Sequence, residues 1–178
     1  MRRLWAFVAV LGLLLVGCGA TRPGPRGRSR IAVAQATHEY PSPKPPETTS
    51  GSSSSAVQAV RSFAAAYINW TTDTVTADMR ALATRSIGQA RSALELAAAQ
   101  TASDYELQQG GISNSGQVEV VAPLPSSRDQ YVVVTREQTD ATNTNAYQGL
   151  RPAWHVAIAT VSETAPGAWV VSGWQPQS

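Results

Sequence analysis

The sequence predicts an α+β domain in which three N-terminal helices pack on a curved, four-stranded antiparallel sheet. Apolar residues recur at helical spacing before Gly110-Gly111 and alternate after it. Helices that all precede the strands favour a sheet covered by helices on one face. Residues 56–178 comprise 123 residues, the size of one ordinary domain with its own core.

The first helix is predicted from a capping box and a periodic apolar face. Ser55-Ala56-Val57-Gln58 places serine at the N-cap and glutamine three residues later. Apolar residues then follow at steps of three and four: Val60, Phe63, Tyr67 and Trp70. We expect this face to lie on the sheet.

Two further helices complete the predicted helical half. One begins near Thr76, and the other begins at a second candidate capping box, Ser86-Ile87-Gly88-Gln89. Their expected core residues are Met79, Leu82 and Ala83 in the second helix, and Ala90, Leu94 and Ala97 or Ala98 in the third.

Four strands are predicted after the glycine pair. They are centred on Val118–Val120, Tyr131–Thr135, Trp154–Ala159 and Trp169–Trp174. The turn Ala165-Pro166-Gly167 predicts a hairpin between the last two. We expect Trp154 and Trp169 in the core. We expect Trp174, near the chain end, to be exposed as an interface residue, because tryptophan is favoured both in cores and at interfaces.

The N-terminus has the parts of a secretory signal peptide over residues 1–17. Arg2 and Arg3 precede an apolar stretch of 13 residues, 4–16. A transmembrane helix needs roughly 20 apolar residues, so a permanent span is not expected. Leu15-Val16-Gly17-Cys18 resembles the lipobox of bacterial lipoproteins, and this resemblance implies that Cys18 is acylated and becomes the first residue of the mature chain. The alternative is a chance thiol.

Acylation of Cys18 would place the protein at the cell membrane on the extracytoplasmic side, with membrane lipid as its first partner. Two acyl chains suffice for stable anchoring. Cys18 is also the only cysteine, so no intramolecular disulfide is expected and stability must come from packing.

Residues 18–55 are predicted to be the acylated cysteine followed by a disordered, basic tether. The segment has no hydrophobic period and cannot offset its ordering entropy by burial. Treated as a coil, residues 19–55 reach roughly 30–36 Å. The tether carries a net charge of +3, whereas residues 56–178 carry seven basic and ten acidic side chains. Nucleic-acid binding is disfavoured because the basic cluster is small and lacks interleaved aromatic residues.

The opening Phe63-Ala64-Ala65-Ala66-Tyr67 helix and the closing Trp169–Trp174 strand resemble the nuclear transport factor-like superfamily of cone-shaped α+β domains. The resemblance covers nearly all of residues 56–178. Within that superfamily, the extracytoplasmic domains of conjugation and type IV secretion scaffold proteins are tethered to membranes. They usually hang from a transmembrane helix, which a lipid anchor would replace here.

Enzymes of this superfamily use Asp, His and Tyr residues inside the cone. The resemblance therefore implies a candidate cavity with His155, Tyr67 and Tyr131. The alternative is a histidine on a half-solvated sheet face, and no acidic residue is placed in sequence as an obvious partner for catalysis. No metal or cofactor is expected, since the only other histidine is His38 in the tether. Tyr147, in a long polar segment, is a second candidate interface residue.

We therefore expect a lipid-anchored, non-catalytic domain that binds another envelope protein, as an accessory of a conjugation or secretion assembly. The first alternative is a module that holds a small ligand in the cone. The second is an isomerase- or dehydratase-like enzyme.

Overall fold

The computed structural model describes residues 45–177. The predicted signal peptide, Cys18, His38 and the tether before Pro45 lie outside the described residues. The compact unit begins at Pro45, so the predicted boundary at residue 56 falls inside it.

Four helices precede the long strands: α1 Ala56–Ile68, α2 Val75–Thr84, α3 Gly88–Thr101 and α4 Tyr105–Gly110. Three were expected, and α4 escaped prediction because it has only six residues. Ser55 caps α1 as predicted, its hydroxyl accepting from the Gln58 N–H at 3.2 Å. Gly111 has a φ of 60° and ends the helical half, as the glycine pair predicts.

The second predicted capping box is wrong. Ser86 is buried, and its hydroxyl donates to the Leu82 carbonyl at 2.8 Å. The N-cap residue of α3 is Ile87, which has no side chain that could cap the helix. The cap of α3 is instead the side chain of Glu47, which is distant in sequence and accepts from the Gly88 N–H.

The sheet has five antiparallel strands in sequence order: β1 Trp70–Thr71, β2 Ile112–Pro123, β3 Gln130–Ala141, β4 Ala153–Ala165 and β5 Ala168–Gln177. The α+β class is confirmed, with the N-terminal helices packed on a strongly curled, cone-like half-barrel sheet. The prediction of four strands is wrong because Trp70, expected to end the first helical face, begins a two-residue strand beside Ser113 and Asn114. The β4–β5 hairpin at Gly167 is confirmed.

One core joins the helices to the inner face of the sheet, which we define as the face that the helices cover. Helix α1 contacts β2, β3, β4 and β5, and α3 contacts β5. The expected α2 and α3 core residues are buried, with Ala98 rather than Ala97 at the last position. The sheet residues in this core are Val133, Ala157, Ala159, Val161, Val171 and Trp174.

Residues 47–53, which we call the strap, lie along the domain. Ser53 and Trp169 exchange two backbone hydrogen bonds of 2.9 Å, and the Ser50 N–H donates to the Thr84 carbonyl at 2.9 Å. The composition of residues 47–53 predicted disorder. The strap is ordered because its backbone forms hydrogen bonds with residues that are distant in sequence.

Candidate functional site

Trp154 and Trp174 occupy positions opposite to those expected. Trp174 is buried, with 7 % of its surface exposed, whereas Trp154 is 63 % exposed. Trp169 is half-buried and packs against the core. Because Ala159 is the cross-strand neighbour of Trp174, its small side chain leaves room for the indole. The expected exposure of Trp174 is therefore wrong, and so is the expected core position of Trp154.

His155 lies on the same face of β4 as Ala157 and Ala159. Aromatic rings from other elements pack over these two alanines. The Phe63 and Tyr67 rings lie 5.1 and 5.3 Å from the Trp174 ring, measured between centroids. Ala157 and Ala159 are buried in the same core. The aromatic rings thus fill the space above these two alanines.

Beyond the rings lies a group of polar side chains, which we call the inner polar cluster: Tyr67, Asn114, Thr135, Glu137 and Thr139. Asn114 Nδ2 donates to the Ile68 carbonyl at 2.7 Å and to Glu137 Oε2 at 2.9 Å. Its Oδ1 accepts from the Thr139 hydroxyl at 3.0 Å. Thr135 donates to the other Glu137 oxygen at 2.5 Å. The cluster ties α1 to β2 and β3.

Within this cluster, Tyr67 has a hydroxyl whose pKa is perturbed. Burial raises its pKa above the ordinary value, and the nearby Glu137 charge raises it further. The Trp174 indole N–H lies close enough to lower the Tyr67 pKa by a smaller amount. The geometry is not that of a hydrogen bond, so within residues 45–177 the buried Trp174 Nε1 has no acceptor. The Tyr67 hydroxyl and the Trp174 indole N–H are therefore neighbours inside the cone, and no hydrogen bond joins them.

The predicted cavity residues are spread along the inner face. His155 is exposed and is the register partner of Thr135. Tyr131 is half-buried against the core and pairs with Ala159, four residues further along the strands, about 13 Å at the usual rise. Tyr67 alone of the three belongs to the inner polar cluster. Tyr147, the second interface candidate, is half-buried in the β3–β4 loop.

The opposite, outer face of the sheet is also apolar. Strand alternation and register place Val120, Val134 and Val156 in one row across three strands, and Ala122, Val132 and Ile158 in the next. Trp154 continues the surface beside Arg136. These seven apolar residues form the outer apolar patch: Val120, Ala122, Val132, Val134, Trp154, Val156 and Ile158. None belongs to the core shared with the helices.

The surroundings of the outer apolar patch are polar, and they include one basic and one acidic side chain, Arg136 and Glu119. Register places five glutamines on the same face: Gln117, Gln130, Gln138, Gln175 and Gln177. The Arg136 guanidinium lies 6.0 Å from the centre of the Trp154 ring, a cation–π contact. A cleft of about 390 Å³ beside the patch is lined by Arg136 and Glu119 together with Gln117, Gln138 and Pro152. Apolar patches rimmed by polar residues mark interaction sites.

Side chains and the strap cover part of each of the two edges of the sheet. On β2, Asn69 bonds both the N–H and the carbonyl of Gly116, and Arg61 donates to the Val118 carbonyl at 2.9 Å. On β5, Ser53 pairs with Trp169, the Ile87 N–H donates to the Val171 carbonyl, and the Gln89 side chain accepts from the backbone N–H of Trp174. A strand from another protein would have to displace these contacts.

Residues 45–177 contain no group of three or more His, Cys, Asp or Glu side chains arranged to hold a metal ion. In the same part of the chain, none of the helices has the length and apolarity needed to cross a membrane.

Sequence reasoning missed the outer apolar patch, although its signal was present. Val132 and Val134 alternate with Val133, and Trp154, Val156 and Ile158 alternate with smaller residues. The bulkier set was expected to face the core.

No protein-family model and no curated protein sequence matches this chain.

Proposed function

We propose that the protein is a lipid-anchored, non-catalytic interaction domain on the extracytoplasmic side of the cell membrane, which binds another envelope protein. The observation that carries the interaction role is the outer apolar patch: apolar residues of three adjacent strands lie on the face opposite to the helices. Trp154 of this patch lies beside Arg136, and tryptophan and arginine are residue types that dominate binding energy at protein interfaces. The lipobox-like Leu15–Cys18 segment supports the anchor.

The curled sheet beneath N-terminal helices supports a place in the nuclear transport factor-like superfamily, and with it a role as an accessory of a conjugation or secretion assembly. The fold alone does not imply a function. The interaction role therefore depends on the outer surface, and the assembly depends on identifying the partner.

Crosslinking mass spectrometry of the native protein in its own membranes tests this function. Lys44 is the only lysine, so a carboxylate-directed reagent is needed to sample residues 45–177, where acidic side chains are spread over many elements. We expect reproducible links to one envelope complex, and links only to abundant bystanders would contradict the interaction role.

Replacing Cys18 by serine tests the anchor separately. The Cys18→Ser variant should leave the membrane fraction, while a matched Ser54→Ala variant should stay there. A Cys18→Ser variant that still fractionates with membranes after signal processing would show that acylation does not hold the protein.

A second candidate function is binding of a small ligand at the inner polar cluster. It is favoured by the buried Trp174 Nε1, which has no acceptor among the described residues, and by the adjacent Tyr67 hydroxyl. A ligand with an acceptor oxygen would satisfy this donor. Native mass spectrometry of the mature protein should then show a retained mass that a Trp174→Phe variant loses, and a consistently empty protein would contradict ligand binding.

A further inference from the structure

We propose that the strap is a releasable latch, which detaches from the domain as one unit while the helices and the sheet stay folded. Its detachment exposes the β5 edge and opens a cavity that leads to core residues. The latch depends neither on the anchor nor on the outer apolar patch, because the contacts that define it lie within residues 45–177.

The strap is held closed by polar contacts. Residues 47–53 include no apolar side chain, and none of the seven is buried. The strap backbone forms hydrogen bonds with one residue in each of three elements: Trp169 on β5, Thr84 on α2 and Arg91 on α3. Segments with few buried apolar contacts and exposed hydrogen bonds open at lower free energy than the rest of a fold. Local opening is therefore expected here first.

Open space adjoins the strap along most of its length. Residues 51–53 line a cavity of about 220 Å³, which the core residues Phe63, Leu82 and Val171 also line. Residues 48–50 line a second, wider cleft of about 600 Å³. The strap thus spans gaps between its points of contact, and its release would open the smaller cavity to solvent.

The strap contacts are expected to form and break together. Ordering one residue costs about as much free energy as one hydrogen bond contributes, so a single contact cannot hold the rest of the strap in place. Opening can end at residue 54, because the Ser55 cap of α1 is a bond within that helix to Gln58.

The sheet also survives the opening. The bridge between Ser53 and Trp169 lies outside the ladders of the five strands, and Trp169 stays paired with Glu163 of β4. What the opening frees is the N–H and the carbonyl of Trp169. These groups are the unpaired edge to which an additional strand can bind, so the closed strap protects this edge.

Amide hydrogen exchange of the full-length protein tests the latch. The N–H groups of Ser50, Ser53 and Trp169 donate across the strap contacts, so their exchange reports its opening. The N–H of Val133, which has no exposed surface and lies in the central strand β3, reports unfolding of the whole domain.

Two variants and a lock separate the possible motions. Glu47→Ala removes a carboxylate cap from one end of the strap, and Asp104→Ala removes the carboxylate cap of α4 as a matched control. Ser50→Cys with Thr84→Cys provides the lock, since the two hydroxyl oxygens lie 3.1 Å apart. Cys18→Ser is added to this pair so that no third thiol is present. The reduced pair is the control for the oxidised one.

We expect the three strap amides to exchange at least about a hundredfold faster than the Val133 amide, relative to unprotected amides. Glu47→Ala should accelerate all three about tenfold, including the distant Ser53 and Trp169, whereas Asp104→Ala should leave them unchanged. Oxidation of the cysteine pair should slow exchange at Ser53 and Trp169 at least about tenfold.

Each step has an outcome that would overturn the latch. Strap amides as slow as Val133 would show that the strap opens only when the domain unfolds. Acceleration by Glu47→Ala that does not reach Ser53 and Trp169 would show independent contacts instead of one unit. A cysteine pair that does not oxidise would contradict the closed geometry, and a disulfide that leaves Ser53 and Trp169 exchange unchanged would contradict release of the strap.

Discussion

The carboxylate of Glu47 accepts a hydrogen bond from the backbone N–H of Gly88 at 2.6 Å, across 41 residues. Gly88 begins α3, whose N-cap residue Ile87 provides no capping side chain. Arg91, one turn into the helix, lies 4.0 Å from the same carboxylate and donates to the Thr48 carbonyl at 2.5 Å. The strap therefore supplies both the cap and a negative charge at the helix N-terminus, where negative charge is stabilising.

Loss of this cap should destabilise the domain. We expect Glu47→Ala to lower the free energy of unfolding by about 0.5–2 kcal/mol, the range for lost N-caps. Glu95→Ala, which removes an exposed carboxylate from the middle of the same helix, should have a much smaller effect. Urea unfolding followed by circular dichroism measures both, and equal losses would contradict a capping role for Glu47.

The two N-caps show what the sequence could predict. Ser55 caps α1 from three residues away, so the cap was visible as a local motif. The cap of α3 comes from Glu47, and no local pattern links the two segments. For the same reason the strap was assigned to the tether, since its composition is polar and its order comes from long-range backbone bonds.

Asn114 should be among the most sensitive polar positions. It is buried, and it bonds the Ile68 carbonyl, Glu137 and Thr139. Asn114→Ala leaves these groups without their partner, so we expect a loss of about 1–3 kcal/mol in the free energy of unfolding. Asn145→Ala, at an exposed loop position, is the control and should be close to neutral. A loss at position 114 no larger than at position 145 would argue against the cluster as a structural tie.

Tyr67 should make stability depend on alkaline pH. Its pKa is raised in the folded protein by burial and then by Glu137. Above the ordinary tyrosine pKa of about 10, the unfolded chain therefore loses this proton while the folded protein keeps it. The folded state then binds more protons than the unfolded state, so stability falls as pH rises through this window.

Comparison with a variant isolates that contribution. The difference in unfolding free energy between wild type and Tyr67→Phe should move in favour of the variant above about pH 10, and stay constant below about pH 9. Tyr105→Phe, at a position 71 % exposed, serves as the control. A difference for Tyr67→Phe that is independent of pH in this range would contradict the proposed cause.

Alanine substitutions at two glycines with positive φ allow the cost of backbone strain to be compared with the cost of a steric clash. Gly149 has a φ of 76° and no atom within 4 Å of an added Cβ. Gly111 has a φ of 60°, and its added Cβ would overlap with Thr142 Oγ1. Gly149→Ala should cost about 1 kcal/mol from the backbone alone, and Gly111→Ala should cost more because Thr142 must also move. Thermal melts of the two variants test this order, and equal shifts would contradict it.

The candidate site was only partly predictable, because a strand pattern gives two faces but not which of them the helices cover. On β4 the larger residues Trp154, Val156 and Ile158 face outward, while Ala157 and Ala159 face the core. Bulky rings from α1 and β5 fill the space above these alanines. Such complementarity between distant segments is not visible in either segment alone. The outer apolar patch was therefore missed, because the face with the larger residues was expected to lie in the core.

The central claim is that the outer apolar patch binds a protein, and a charge placed within the patch tests it most directly. Val156→Asp alters a residue that is 39 % exposed on the outer face, while Leu96→Asp adds the same charge on α3. Both full-length proteins are purified with their neighbours from native membranes after confirming equal abundance and melting behaviour. We predict that one envelope protein bound by the wild type and by Leu96→Asp is lost from Val156→Asp. An identical set of bound proteins in all three samples would contradict the claim.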